Sequence, residues 1–510
     1  MRIDAVSRGT IPPDLRTTPI SLLLDGHKGN TFHIVKRMKT TPPKTARKPR
    51  VALRLPTGTI HRSIHLLRTA LEELGARMAL REVERIGIII NQAMTAQARS
   101  FHTPEHVFDL VETGNPYTTL AALFHDLVYY HVDHGFIPQI AEAVESSIEI
   151  RDGALYVRPG AEAGDRQLAL SLAVFGFQPG QKLEPFGGMN EFLSALVMNR
   201  KLAGAVREED LILSTACIEA TIPFRMPGAD GVTPADHLEM RLETVNRAMG
   251  LGLTRERIRQ GVRWAVSFAN RDVANFGEKE VTRFLDNTWK LLPESNPSLR
   301  TQGVYSIRSY RVALQGMEGF LRTLDPRTIF ARYRDTPPAE EYRRLEKRGE
   351  RNVTTARAYL GIKLLTAAIL EALAEISGGD APVALFMGDL DARQKGSKLD
   401  DYLPSYRPSA DLPLDPTLRD LLANGRASAS RFDLQNSPLS LFIYLHLGAD
   451  GLRTHLDAAR RVFDGTRAPR GFLDALPGNM IAAIAEGCGH MAFTRSEELK
   501  AYALSRRPRA

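Results

Sequence analysis

Five of the 13 histidines in this 510-residue chain fall between residues 102 and 134: His102, His106, His125, His131 and His134. An even spread would place about one there. Two of them flank a proline in Phe101-His102-Thr103-Pro104-Glu105-His106-Val107, and proline suits the first turn of a helix. A helix starting near Thr103 puts His106 in its first turn and His102 just before it, so both imidazoles can face one space. The next lies in Leu120-Ala121-Ala122-Leu123-Phe124-His125-Asp126-Leu127-Val128-Tyr129, where a His-Asp pair interrupts an apolar helix. Burying two polar groups in such a run is costly unless they are satisfied. A divalent cation would satisfy both, because neutral imidazole and carboxylate suit Zn²⁺, Mn²⁺ or Fe²⁺. His131 and His134 stand at the edge of a stretch rich in Gly and Pro and read as surface residues.

The elements that must position these groups are mostly helices. Ile64, Leu67, Ala70 and Leu71 recur at helical spacing, as do Ile86, Ile89, Ile90 and Met94. Further helices are expected over 190–202, 208–221, 234–250 and 254–269. Ile148, Ile150, Leu155 and Val157 flank Asp152-Gly153, which predicts a hairpin with a primed turn. That hairpin sits in residues 135–188, which read as an insertion into the helical scaffold. Residues 331–352 are densely charged and contain Pro337-Pro338, so they read as a charged linker or a solvated helix. Beyond them Ile362, Leu365, Ile369, Leu373 and Ile376 mark an amphipathic helix that stops at Gly378-Gly379. Residues 395–416 carry four prolines and read as a loop, and 436–504 read as helical. Asp389-Leu390-Asp391 after Val383–Met387 resembles a strand-end acidic pair, too short to found a second site. His446, His455 and His490 read as core or surface residues.

Charge narrows the partners. Lys and Arg number 67 against 59 Asp and Glu, a formal net charge of +8, and the first fifty residues alone hold 11 basic and 3 acidic side chains. The excess is therefore confined to an arm, which argues against a nucleic-acid surface spread over the remainder. The arm, residues 1–50, reads as disordered, with a short apolar segment at 21–24. It is either a solvated tail or a contact for a polyanion. With 43 % hydrophobic and 25 % charged residues the chain is globular in composition. No run approaches about 18 apolar residues, so no membrane span is expected. The N-terminus lacks an apolar signal core, which argues against secretion, and Asp4, Asp14 and Asp25 count against a transit peptide. Cys217 and Cys488 make no disulfide framework. A cytoplasmic location is the expectation.

Over about residues 95–280 the chain resembles the HD superfamily of metal-dependent phosphohydrolases, in particular its small bacterial branch. Five short segments carry the resemblance, in order. They are Arg99-Ser100-Phe101-His102-Thr103-Pro104-Glu105-His106-Val107, Phe124-His125-Asp126-Leu127-Val128-Tyr129, Asn190-Glu191-Phe192-Leu193-Ser194-Ala195, Ala220-Thr221, and Asp272-Val273-Ala274-Asn275-Phe276-Gly277. Two departures stand out. Some sixty residues separate the His-Asp and Asn-Glu segments, which follow closely in the family. After Ala220-Thr221 this chain reads Ile222-Pro223-Phe224-Arg225, where relatives often have a histidine.

The resemblance implies an HD-type metal-binding helical bundle, which with the apolar patterning gives a mainly α domain over 51–330 around the 135–188 insertion. The linker or solvated helix at 331–352 and the C-terminal helical region at 353–510 rest on the residue pattern alone. The resemblance further implies one divalent metal (Mn, Zn, Fe, Mg or Co) held by His106, His125, Asp126 and Asp272. It implies catalysis by His102 as general acid and by Asp126 as ligand and water orienter. Glu191 either holds a water or a ligand histidine, or is an exposed helix glutamate. Arg225 or Arg271 could neutralise substrate phosphate, although Arg271 could equally pair with a carboxylate. The implied activity is hydrolysis of a small phosphate ester, including a nucleotide, by a metal-activated water. Two alternatives remain: a non-catalytic nucleotide-sensing or regulatory protein, and an HD-type di-iron oxygenase. The oxygenase would need extra histidines, for which His131, His134 and His237 are the candidates.

Overall fold

The computed structural model describes residues 58–301, 304–388, 396–430 and 432–507. The arm at 1–50, its apolar segment at 21–24 and the acidic pair at Asp389 and Asp391 lie outside the described residues.

Periodic apolar residues build the first ten helices. Helices α1 (Thr59–Glu73) and α2 (Leu80–Met94) bury Leu67, Ala70, Leu71, Ile86, Ile89, Ile90 and Met94. Prolines open α3 (Pro104–Leu110), α4 (Pro116–Phe124) and α5 (Pro138–Val144), where their missing N–H costs nothing. Strands β1 (Ile148–Arg151) and β2 (Ala154–Val157) pair antiparallel, with Ile150 opposite Leu155. Asp152 and Gly153 between them have φ of 49° and 76°, both positive as a type I′ turn requires. Then follow α6 (Arg166–Phe175), α7 (Met189–Leu202), α8 (Glu208–Ala220), α9 (Pro234–Met249) and α10 (Arg255–Asp272). Residues Asp210 to Glu219 of α8 are all buried, which makes it the central helix, packed on α4, α7 and α10.

The 135–188 stretch is only partly an insertion. The hairpin is peripheral, with Ile150 exposed, but α6 belongs to the scaffold. Its Leu168, Leu170, Leu172 and Val174 are in the first core, and Asn199 of α7 donates to Ser171 at 3.0 Å. Flanking Gly and Pro residues masked a ten-residue helix capped by Asp165 and ended at Gly176.

A second core gathers α11 (Val281–Ser295), α12 (Ile307–Thr323), α13 (Ala339–Ile376), α14 (Val383–Met387), α15 (Pro416–Asn424), α16 (Pro438–Phe463), α17 (Pro469–Leu473), α18 (Gly478–Met491) and α19 (Ser496–Arg506). The segment 331–352, read as a charged linker or a solvated helix, runs from residue 339 into the long helix α13. Tyr333 is packed in the first core, and residues 339–376 are one continuous helix. At 38 residues, α13 is about 57 Å long. Its charged first third lies mostly at the surface and its apolar remainder runs through the second core. Each fully buried Leu or Ile there contributes about 1.5–3 kcal/mol. Asn352, fully buried on α13, donates to the carbonyls of Phe276 at 2.8 Å and Glu278 at 2.9 Å. It thereby fixes the turn that follows α10. Residues 383–387 are a helical turn, not a strand; five apolar residues do not distinguish the two. Among the described residues no helix is long and apolar enough to cross a membrane.

Candidate metal centre

The centre forms where α3, α4 and α10 meet. His106 is the third residue of α3 and His102 precedes that helix by two residues. The buried helix α4 ends at Phe124, which sets His125 and Asp126 on the turn that leaves it. Asp272 is the last residue of α10. His106, His125 and Asp126 each offer one donor atom within 4.8 Å of the others.

Distances fix the geometry. His125 Nε2 lies 2.9 Å from Asp126 Oδ2 and 3.5 Å from Asp272 Oδ1. His106 Nε2 lies 3.1 Å from Asp272 Oδ1 and 3.6 Å from Asp126 Oδ2. Donors bound at about 2.0–2.2 Å to one cation sit about 2.8–3.6 Å apart, and all four separations fall in that window. His125 Nδ1 lies 3.1 Å from the Ala122 carbonyl. A carbonyl only accepts, so Nδ1 carries the proton and Nε2 of the neutral ring presents its lone pair. Yet Nε2 and Asp126 Oδ2, both buried, make no aligned hydrogen bond with anything. Buried polar atoms rarely go unpaired. Two of them aimed at the same space fit a cation held between the donors.

The electrostatics agree. Burial alone would raise the Asp126 pKa, but His125, His102 and His106 hold it well below the usual carboxylate range. Asp272 is likewise held low, its burial outweighed by His106 and His125. Burial would lower the His125 pKa, but Asp126 and Asp272 push it well up. Without a cation, protons must bridge this cluster.

Glu191 sits beside these groups. Burial first, then the charges of Asp126 and Asp272, push its carboxyl up to about 7, and its Oε2 is buried without a partner. It is therefore not an exposed helix glutamate. Gly188, with φ 95°, begins its helix where a Cβ would lie 2.4 Å from Ile222, a place only glycine fits. The neighbours of Glu191 on α7 brace the His-Asp turn: Ser194 Oγ accepts from Val128 N at 2.9 Å and Asn190 Oδ1 from Tyr130 N at 3.2 Å. The sixty intervening residues do not disturb that packing.

His102 has a partner that its local sequence does not announce. Its Nδ1 lies 2.7 Å from Glu294 Oε2, on α11. Glu294 Oε1 accepts from the N–H groups of Ser100, Phe101 and His102 at 2.6, 2.7 and 3.1 Å. Burial would lower the His102 pKa, but Asp126 and Glu294 together raise it. Arg99 is also structural in a way its motif did not reveal. Fully buried, it grips Asp133 at 2.6 and 3.1 Å and donates to the Asp126 carbonyl at 2.6 Å. No sequence signal marks Glu294, whereas Arg99 stands in a motif segment that gave it no role.

The two candidate phosphate-binding arginines diverge. Arg225 is anchored by the buried Glu219 at 2.6 Å, a carboxylate that Arg241 shares. Arg271 pairs with Glu112 at 2.9 Å but keeps Nε and Nη2 buried and unpartnered. His131 and His134 are exposed, and His237 lies 3.1 Å from Asp230. No protein-family model, curated protein or solved structure matches this chain.

Proposed function

We propose that the protein is a mononuclear metal-dependent phosphohydrolase of HD type that hydrolyses a small phosphate ester, with nucleotides among the candidate substrates. The observation that carries this reading is that His125 Nε2 and Asp126 Oδ2, both buried and 2.9 Å apart, make no aligned hydrogen bond and lie within ligand-to-ligand distance of Asp272 and His106.

A divalent metal, when bound, lowers the pKa of a coordinated water and polarises a phosphoryl oxygen. His106, His125, Asp126 and Asp272 would hold it, and the two carboxylates offset its charge. Side chains of His106, Asp126 and Asp272 are 13, 22 and 19 % exposed, so water and substrate can reach the donors. Asp126 also orients the attacking water through its second oxygen. Glu294 fixes His102 by Nδ1, which leaves Nε2–H to protonate the leaving oxygen. Glu191, with a pKa near neutrality, can take up the proton released by the water. Arg271, next to Asp272 in the chain, has Nε and Nη2 unpartnered but buried, so it would reach the phosphate only by turning its side chain.

The exposed placement of His131 and His134 and the pairing of His237 with Asp230 favour one metal over the two of a di-iron oxygenase. Metal analysis of the purified protein tests the reading, together with a metal-supplemented panel of nucleotides and phosphomonoesters and the Asp126→Ala protein as blank. About one equivalent of metal, with hydrolysis lost in His125→Ala and Asp272→Ala, is the expected result. Two irons with oxygen consumption would replace this reading with the oxygenase. Metal and nucleotide binding without turnover would replace it with a sensor.

A further inference from the structure

The chain between α12 and α13 folds back onto α10. Asn270 and Ala331 bind each other twice, Nδ2 to the carbonyl and N–H to Oδ1, each at 2.8 Å. Beside this clasp lies a cavity of about 400 Å³, within the usual size range of small-molecule sites. Four arginines line it, Arg225, Arg327, Arg332 and Arg334, and no acidic residue does. Three are steadied from outside the lining: Arg225 by Glu219, Arg327 by Asp325 and Arg334 by Glu239. Arg332 donates to the Pro337 carbonyl at 3.2 Å and has no carboxylate within ion-pair distance among the described residues.

The remaining walls are mainly apolar, with the aromatic Phe224, Phe330 and Tyr342, and carry Thr221, Thr233, Thr328 and Asn270 as polar neutral groups. Phe224 and Arg334 hold φ of 59° and 54°. The left-handed region costs a residue with a Cβ about 1–2 kcal/mol, and such strain concentrates at binding sites. None of the four candidate metal ligands lines this cavity, although Ala269, Asn270 and Val273 on either side of Asp272 do.

We infer a second ligand site here, for a small phosphorylated molecule with a flat aromatic part, of the nucleotide class. Guanidinium forks match phosphate oxygens in pairs, and aromatic walls accept the face of a base. The site stands whether or not the metal centre is catalytic.

Equilibrium dialysis of the full chain tests it, with ATP, GTP and UTP as probes and inorganic pyrophosphate as the probe lacking a base. EDTA is present throughout, so that no metal recruits phosphate. At least one nucleotide should bind, about tenfold tighter than pyrophosphate or better, and should bind Asp126→Ala equally well. Arg327 and Arg332 are both exposed, so the double variant Arg327→Ala/Arg332→Ala should fold, as thermal melting will show, yet bind about tenfold more weakly. No nucleotide binding at millimolar concentration overturns the proposal. So does undiminished binding in the double variant, loss of binding in Asp126→Ala, or pyrophosphate binding as tight as any nucleotide.

Discussion

Glu294 lies 192 residues beyond His102 in the chain, yet its carboxylate meets His102 Nδ1 at 2.7 Å. Replacing it by Gln keeps an acceptor but removes the charge that helps raise the His102 pKa. Turnover in Glu294→Gln should fall about 10- to 100-fold. The alkaline limb of its pH–rate profile should move to lower pH, because His102 then loses its proton earlier. Metal content should stay at the parent level. An unchanged pH profile would deny His102 the acid role.

Ligand loading should register as stability. A cation that binds only the folded chain, at a hundredfold excess over its Kd, adds about 2.7 kcal/mol. The melting temperature should rise with Mn²⁺, Zn²⁺ or Fe²⁺ and return on chelation. His125→Ala and Asp272→Ala should show neither response, which calorimetry reads directly.

Glu191 sets a pH dependence for the metal-free protein. An unfolded glutamate gives up its proton near 4.5, whereas the folded one keeps it to about 7. Between those values the folded state binds more protons, so stability falls as pH rises. Metal-free protein should melt a few degrees lower at pH 8 than at pH 5, and Glu191→Gln should remove some of that difference. A melting temperature in the parent that rises over this interval would contradict the assignment.

Arg99 is a structural claim. Removing one member of a buried ion pair costs about 3–5 kcal/mol, and Arg99→Ala also releases the Asp126 carbonyl. Urea unfolding should show a loss of that order. Arg99→Lys should recover little of it, since an ammonium cannot span Asp133 and the carbonyl together.

Arg271→Ala separates phosphate binding from a bystander role. Loss of its two unpartnered donors should raise KM more than it lowers kcat. A variant with both constants unchanged would leave the pairing with Glu112 as the whole of its role.

Much of this arrangement was legible because it is local. The hairpin at Ile148–Arg151 and Ala154–Val157 follows from alternation around Asp152-Gly153. His125 and Asp126 stand out because they end so apolar a run, although the helix itself stops at Phe124 and leaves them on the turn. What stayed hidden depends on distance along the chain. Nothing near Glu294 signals that it would cradle the Ser100–His102 backbone, and nothing near Asn352 signals Phe276. Helix α6 was obscured by the glycines and prolines around it. Glu219, which claims Arg225, carries no signal in the sequence, because only the packing of α8 buries it.

The long helix α13 has a consequence for how the protein can be divided. Asn352 holds the turn after Asp272 from 76 residues downstream, and Glu294 reaches His102 from beyond the same turn. A fragment ending near residue 280 would carry all four donor residues and lack both supports. The smallest piece that keeps the candidate centre with both supports must therefore extend into α13, at least to Asn352. All four donor residues thus precede, along the chain, both of the side chains that brace the site, and a cut between them separates the candidate centre from its supports.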